Sequence, residues 1–254
     1  MSVSGKAADV LRRLGGKRHP YTSAIIVAAG SSTRMGGGIS KQFIEVAGMP
    51  VLARTLVAFE ATREIDEIVV VARAEDLAAV SALADTWHIT KLAAVVAGGS
   101  TRANSVKNGF LHVHHATKFV AIHDGARCLI TPANIEKVCR AAYRYKAATA
   151  AQTVSDTVKT ATARGFIAKT VDRKTVHLAT TPQIFSANLY RAALESVKGI
   201  ELLTDDNQLM EKLPYPVKLV DCGKENMKIT EPRDIRMAEF ILEERAQNED
   251  RTRL

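Results

Sequence analysis

The chain has 254 residues, 46% of them apolar and 24% charged, which suits one large domain or two small ones and excludes a disordered polymer. Its net charge of +8 favours anionic small molecules over nucleic acid, because no Lys/Arg block accompanies it and the 5% of aromatic residues leaves few rings to stack on bases. No apolar run reaches the ~18–20 residues of a membrane span, so no membrane partner is expected.

Half of the charge surplus sits in residues 1–22, where Lys6, Arg12, Arg13, Lys17 and Arg18 face Asp9. Val10, Leu11 and Leu14 fall at helical spacing there. No continuous apolar core of a secretory signal is present. The segment reads as a basic extension or short docking helix without chemistry, and organelle targeting stays open as an alternative. Cys128, Cys139 and Cys222 form no C-x-x-C pair and read as packing residues. So sparse and odd a set fits a reducing compartment, here the cytoplasm.

From Ser23 the pattern alternates. Strands are expected over 24–29, 65–72, 92–97 and 119–123, with helices over 51–61, 75–86 and about 103–113 between them. Each strand is a near-continuous apolar run, the mark of a parallel sheet covered on both faces. Between Val154 and Thr181 the alternation breaks into Thr- and Val-rich stretches with a turn signal at Arg164-Gly165. That reads as a hairpin arm, which cannot bury both faces alone and calls for a partner. Helices follow over 188–197, 205–212 and 232–244, with a strand over 217–222. The resulting division is an extension over 1–22, one domain over 23–246 with the arm at about 154–181, and a tail over 247–254.

In such sheets ligands bind where strands end at their carboxyl side. The first such loop runs A-A-G-S-S-T-R-M-G from Ala28 and continues to Lys41-Gln42-Phe43. Small residues let backbone N–H groups approach an anion, and Arg34 and Lys41 add two positive charges. No dinucleotide fingerprint or P-loop is present. A plain Gly-rich turn with solvated charges is the competing reading of this loop alone. The second loop, Ala97 to Ser105, holds Gly98-Gly99 and several hydroxyls. Gly99 and Ser105 could meet a base edge, or Ser100 or Thr101 could simply cap a helix. The third, His123-Asp124-Gly125-Ala126-Arg127, puts a carboxylate where Mg²⁺ would sit and an Arg fit for a second phosphate. His123 reads as a structural hydrogen-bonder. His112, His114 and His115 lack metal-ligand spacing.

Three strand-end loops of this kind make a shared nucleotide site the economical reading. The motifs A-A-G-x-x-x-R-M with K-Q-F, G-G-x-x-R-x-x-S-V, H-D-G-A-R, D-T-V-K, V-D-R, T-P-Q-x-F, T-D-D and N-M-K-I-T run in one order from Ser23 to about Glu244. In this the chain resembles the 2-C-methyl-D-erythritol 4-phosphate cytidylyltransferases of non-mevalonate isoprenoid synthesis. The resemblance implies a Rossmann-like α/β nucleotidyltransferase domain with a mostly parallel sheet and a projecting β-hairpin arm that interlocks a homodimer. It implies transfer of cytidylyl from CTP to a polyol phosphate with Mg²⁺. By matching position, Ala28, Ala29, Gly30, Gly99, Ser105 and Asp124 belong to the nucleotide, and Asp124 also to the metal. Arg34, Lys41 and Lys228 surround the triphosphate and the reacting phosphorus. Arg127, Thr157, Arg173, Thr181 and Thr204 hold the methylerythritol phosphate, with Arg173 reaching into the partner's site. Cys128, Thr153 and Ser40 stand where the family commonly has Pro, and Gly36 to Gly38 add freedom to the first loop. Ribitol 5-phosphate is the alternative acceptor.

Overall fold

The computed structural model describes residues 19–30 and 40–252. In chain order β1 (Thr22–Val27) is followed by the short hairpin β2 (Glu45–Val46) and β3 (Met49–Pro50), then α1 (Val51–Ala61) and β4 (Glu67–Ala72). Next come α2 (Leu77–Thr86), β5 (Leu92–Ala97), α3 (Arg102–Phe110), β6 (Phe119–Asp124), α4 (Pro132–Tyr145) and β7 (Ala147–Thr153). The remaining elements are β8 (Val158–Ala161), β9 (Ile167–Val171), β10 (His177–Ser186), α5 (Ala187–Ser196), α6 (Asn207–Lys212), β11 (Lys218–Asp221) and α7 (Pro232–Thr252).

Seven strands form the central sheet in the order β11-β7-β10-β6-β1-β4-β5. β10 runs antiparallel to both β6 and β7, and the other pairings are parallel. The architecture is the mostly parallel α/β sheet expected. Strand alternation divides the core. Ala24 and Ile26 of β1 join Leu56 and Phe59 of α1, Leu83 of α2 and Val138 of α4 on one face. Ile25 faces the other way, with Val106 and Phe110 of α3 and Tyr190 of α5. Both faces of these strands are covered, which is why they read as unbroken apolar runs.

Local chemistry sets the helix that frames the site. Thr101 caps α3, its Oγ1 accepting the Asn104 N–H at 3.1 Å. Gly109 lets α3 lie close on the sheet, since a Cβ there would stand 2.7 Å from Ile25 and from Val71. That close approach brings the loop before α3 over the end of β1.

Several boundaries differ from the sequence expectation. The arm's own two strands are β8 and β9, and from His177 the chain is part of the central sheet, because Thr180 to Phe185 are buried between β6 and β7. Strand β7 and helix α4 are additional elements, as is the sheet role of β10. Helix α3 stops at Phe110, short of Val113, and α7 continues through the expected tail to Thr252. Thr22 is fully buried in β1 rather than part of an extension; residues 1–18 lie outside the described residues. No helix among the described residues is long and apolar enough to cross a membrane.

Candidate active site

A cavity of about 370 Å³ opens where β1, β5 and β6 end. Ala29 and Gly30 reach it from the end of β1, Gly99 from the loop after β5, Arg102 and Ser105 from the first turn of α3, and Asp124 from β6. Lys41, on a single 3₁₀ turn, and Lys228, on the segment before α7, complete a basic wall. The cavity thus lies at the strand ends to which the sequence directs attention. Gly98 is needed for the closure, since a Cβ on it would sit 2.5 Å from the Ala29 Cβ.

The second loop is held by its own hydroxyls. Ser105 Oγ accepts the Gly99 N–H at 3.0 Å and donates to the Thr101 carbonyl at 2.9 Å. Ser105 therefore shapes the glycine turn that lines the cavity. Ala28 is buried behind it, its N–H donating to the Val71 carbonyl at 2.7 Å.

Asp124 is the electrostatic centre. Lys228 Nζ donates to its Oδ2 at 2.8 Å, and Arg127 Nε and Arg102 Nε approach at 3.6 Å, the latter on Oδ1. Burial alone would raise the Asp124 pKa, but Lys228, then Arg102 and Arg127, outweigh it and hold the carboxyl well below the usual range. The group is an anion at any physiological pH.

Arg102 is a cavity residue that the sequence reading does not single out. Its NH1 donates to Asp206 Oδ2 at 2.6 Å, and Tyr190 OH donates to Asp206 Oδ1 at 2.6 Å. Burial works against the Arg102 charge, yet Asp206 and Asp124 overcome it and raise its pKa. The two acidic partners lie on different elements, so motif spacing carries no sign of them; the Arg in G-G-x-x-R is the one available hint.

The remaining predicted residues divide clearly. Arg127 is largely buried beside Asp124, with NH1 donating to the Asn226 carbonyl at 2.9 Å and Nε lacking a hydrogen-bond partner. Thr181 lies behind Asp124 rather than on the cavity wall, its Oγ1 accepting the Asp124 N–H at 3.1 Å. Thr204 is exposed and pairs with Gln208. Thr157 and Arg173 are exposed on the arm and do not line the cavity of their own chain, Arg173 NH1 donating to the Ser155 carbonyl at 2.5 Å. Arg34 lies outside the described residues. No group of three or more His, Cys, Asp or Glu able to hold a metal exists among the described residues. Among the described residues Asp124 is the carboxylate on the cavity wall, and its Oδ1 lies 3.6 Å from Arg102 Nε.

Comparison with known proteins identifies the family. The sequence profile of the 2-C-methyl-D-erythritol 4-phosphate cytidylyltransferases matches residues 22–244. A protein of that name from Pelotomaculum thermopropionicum is 40% identical over 225 residues, covering 88% of this chain and 94% of its own. One from Synechocystis is 41% identical over 224 residues, covering 87% and 97%. The crystal structure of a 4-diphosphocytidyl-2C-methyl-D-erythritol synthase from Anaerococcus prevotii superposes with a TM-score of 0.79 at 31% identity, covering 88% of this chain and 96% of its own. With its strand-end cavity, basic wall and matched length, the chain belongs to the 2-C-methyl-D-erythritol 4-phosphate cytidylyltransferase family, a family of nucleotidyltransferases.

Proposed function

We propose that this chain transfers the cytidylyl group of CTP to 2-C-methyl-D-erythritol 4-phosphate, in non-mevalonate isoprenoid precursor synthesis. The carrying observation is the convergence of Lys41, Lys228 and Arg102 on a cavity floored by the small residues Ala29, Gly30 and Gly99. A polyol phosphate oxygen attacks the α-phosphorus, a new P–O bond forms, and the bond to the bridging oxygen breaks to release pyrophosphate. The nucleophile is already an anion, so no general base is required. Positioning two anions and neutralising their repulsion supply the catalysis.

In this reading Lys41 and Arg34 stabilise charge on the triphosphate, and Lys228, oriented by Asp124, meets the reacting phosphates. Arg127, paired with Asp124 at 3.6 Å, adds positive charge behind the cavity wall. Mg²⁺ fits this donor set as an ion held by one Asp124 oxygen and the triphosphate, the arrangement Mg²⁺ favours over an all-protein cage. When bound it would neutralise phosphate charge.

The proposed assembly is a homodimer in which Thr157 and Arg173 complete the partner's polyol-phosphate pocket. Support comes from Phe166 and Ile167 on the arm, 70% and 69% exposed, and from a cavity wall to which the chain's own arm adds no residue. The proposed location is the cytoplasm, supported by three free, buried cysteines. A pyrophosphate-release assay with CTP and each polyol phosphate tests the substrate. Preference for methylerythritol phosphate is the expected result, and preference for ribitol 5-phosphate would overturn it.

A further inference from the structure

The end of β6 is tied to two other segments by a closed circuit of hydrogen bonds. His123 Nε2 lies 3.3 Å from the Arg127 carbonyl oxygen. Arg127 NH1 donates to the Asn226 carbonyl at 2.9 Å, and Asn226 Nδ2 donates to the Thr181 carbonyl at 2.8 Å. Thr181 Oγ1, 3.0 Å from His123 Nδ1, closes the ring. His123 is fully buried, and Thr181 and Asn226 are each 4% exposed.

The direction of each bond follows from its partners. A carbonyl oxygen only accepts, so Nε2 of His123 carries the ring hydrogen. Nδ1 of the neutral ring is then an acceptor, and the Thr181 hydroxyl must be its donor. The same hydroxyl accepts the Asp124 N–H at 3.1 Å. Its one hydrogen is therefore committed inside the protein. His123 is fully buried, and its ring nitrogens face a carbonyl oxygen and a hydroxyl rather than a carboxylate, so the ring is neutral.

Corners of the ring coincide with or adjoin the charged groups at the cavity. Asp124 follows His123 in β6, Arg127 is itself a corner, and Lys228 shares the Gly223–Thr230 segment with Asn226. The register of β10 against β7 breaks between Ala179 and Gln183, where Thr181 turns to meet β6. We propose that His123, Thr181 and Asn226 are positioning residues that lock Asp124, Arg127 and Lys228 into one arrangement, the Thr181 hydroxyl acting through Asp124 and not on the polyol phosphate. What the positioned groups accomplish rests on the cytidylyl-transfer reading; the ring itself does not.

Long-range proton–nitrogen NMR of the wild-type chain tests the ring without any substitution. The expected result is an Nε2–H imidazole at His123, unmoved by added methylerythritol phosphate, shifted in Thr181→Val and retained in Thr181→Ser. An Nδ1–H imidazole would overturn the proposal. Kinetics tests the consequence. His123→Phe and Thr181→Val should each lower kcat by about tenfold or more, and the double variant no further than either alone, as residues acting as one unit do. Thr181→Ser should restore kcat. A raised KM for methylerythritol phosphate in Thr181→Val, multiplying with the His123→Phe effect, would instead put the hydroxyl on the substrate and overturn the proposal. Wild-type turnover with CTP, measured separately, tests the underlying reading, and the NMR result decides on the ring whatever that turnover is.

Discussion

Asp206 is 3% exposed and accepts two hydrogen bonds of 2.6 Å, from Arg102 and Tyr190, below the cavity. Arg173, a few elements earlier, stands exposed on the arm and grips the backbone carbonyl of Ser155. The two regions are organised differently. Among the described residues, charges at the cavity are held by buried partners from several elements of the same chain. The arm has a two-stranded sheet, exposed Phe166 and Ile167, and no core cluster of its own. A two-stranded ribbon of that kind is marginal alone. In the proposed reading, the difference places nucleotide recognition in the sheet and acceptor recognition on a segment that a second copy completes.

The contrast can be broken hardest at Asp206. Asp206→Ala leaves Arg102 and the Tyr190 hydroxyl without their shared partner, and loss of one side of a buried pair costs about 3–5 kcal/mol. Urea unfolding should show that loss as a lower midpoint; an unchanged midpoint would mean the buried pairing contributes nothing to the cavity's rigidity. Next in size is Lys41→Ala, with Arg34→Ala as its companion. Each should lower kcat/KM by about a hundredfold or more, equivalent to roughly 2.7 kcal/mol. Near-normal turnover in both at saturating CTP would remove these residues from the triphosphate site.

A smaller effect is expected at Thr157. Thr157→Val should cost about 1–3 kcal/mol in the polyol-phosphate step if its hydroxyl pairs with substrate. Steady-state kinetics should show a raised KM or lowered kcat for methylerythritol phosphate with CTP affinity unchanged. A fall in CTP affinity alone would assign Thr157 to the nucleotide. The smallest effect belongs to the arm's surface. Lys159 Nζ donates to Thr170 Oγ1 at 2.6 Å between exposed strands, and Lys159→Ala should stay within about 0.5 kcal/mol of wild type in stability. A larger loss would show the arm to be a folded unit in its own right.

Much of the fold is legible in the sequence because it follows from burial. The I-V-V-V run marks β4, and α1 spans the residues that its Leu52, Leu56 and Phe59 stripe indicates. Strand β7, A-A-T-A-A-Q-T, is different: alanine has no strong strand preference, and its place between β10 and β11 comes from tertiary pairing. Helix α4 does carry a readable start, Thr131 as cap with Pro132 at the first position, its Oγ1 accepting the Asn134 N–H at 3.3 Å. The segment from His177 shares the arm's Thr-rich composition, so composition cannot show where the arm gives way to the sheet. At the site, Gly99, Asp124 and Lys41 are legible from strand-end loops. Arg102 is not, because its partner Asp206 is 104 residues away. Nor is the internal use of the Thr181 hydroxyl, which depends on His123 in another strand.

The division between sheet and arm is tested most directly by Arg173→Ala, followed by calorimetric CTP titration and turnover on the same sample. The account predicts a CTP dissociation constant within about twofold of wild type, with turnover of methylerythritol phosphate reduced about a hundredfold, as loss of a bidentate anion partner in the transition state would do. Mixing this variant with Arg34→Ala chains should then recover activity in the hybrid dimer, where one site holds both wild-type groups. A parallel loss of CTP affinity and turnover in Arg173→Ala would contradict the account, because the arm would then belong to the nucleotide site.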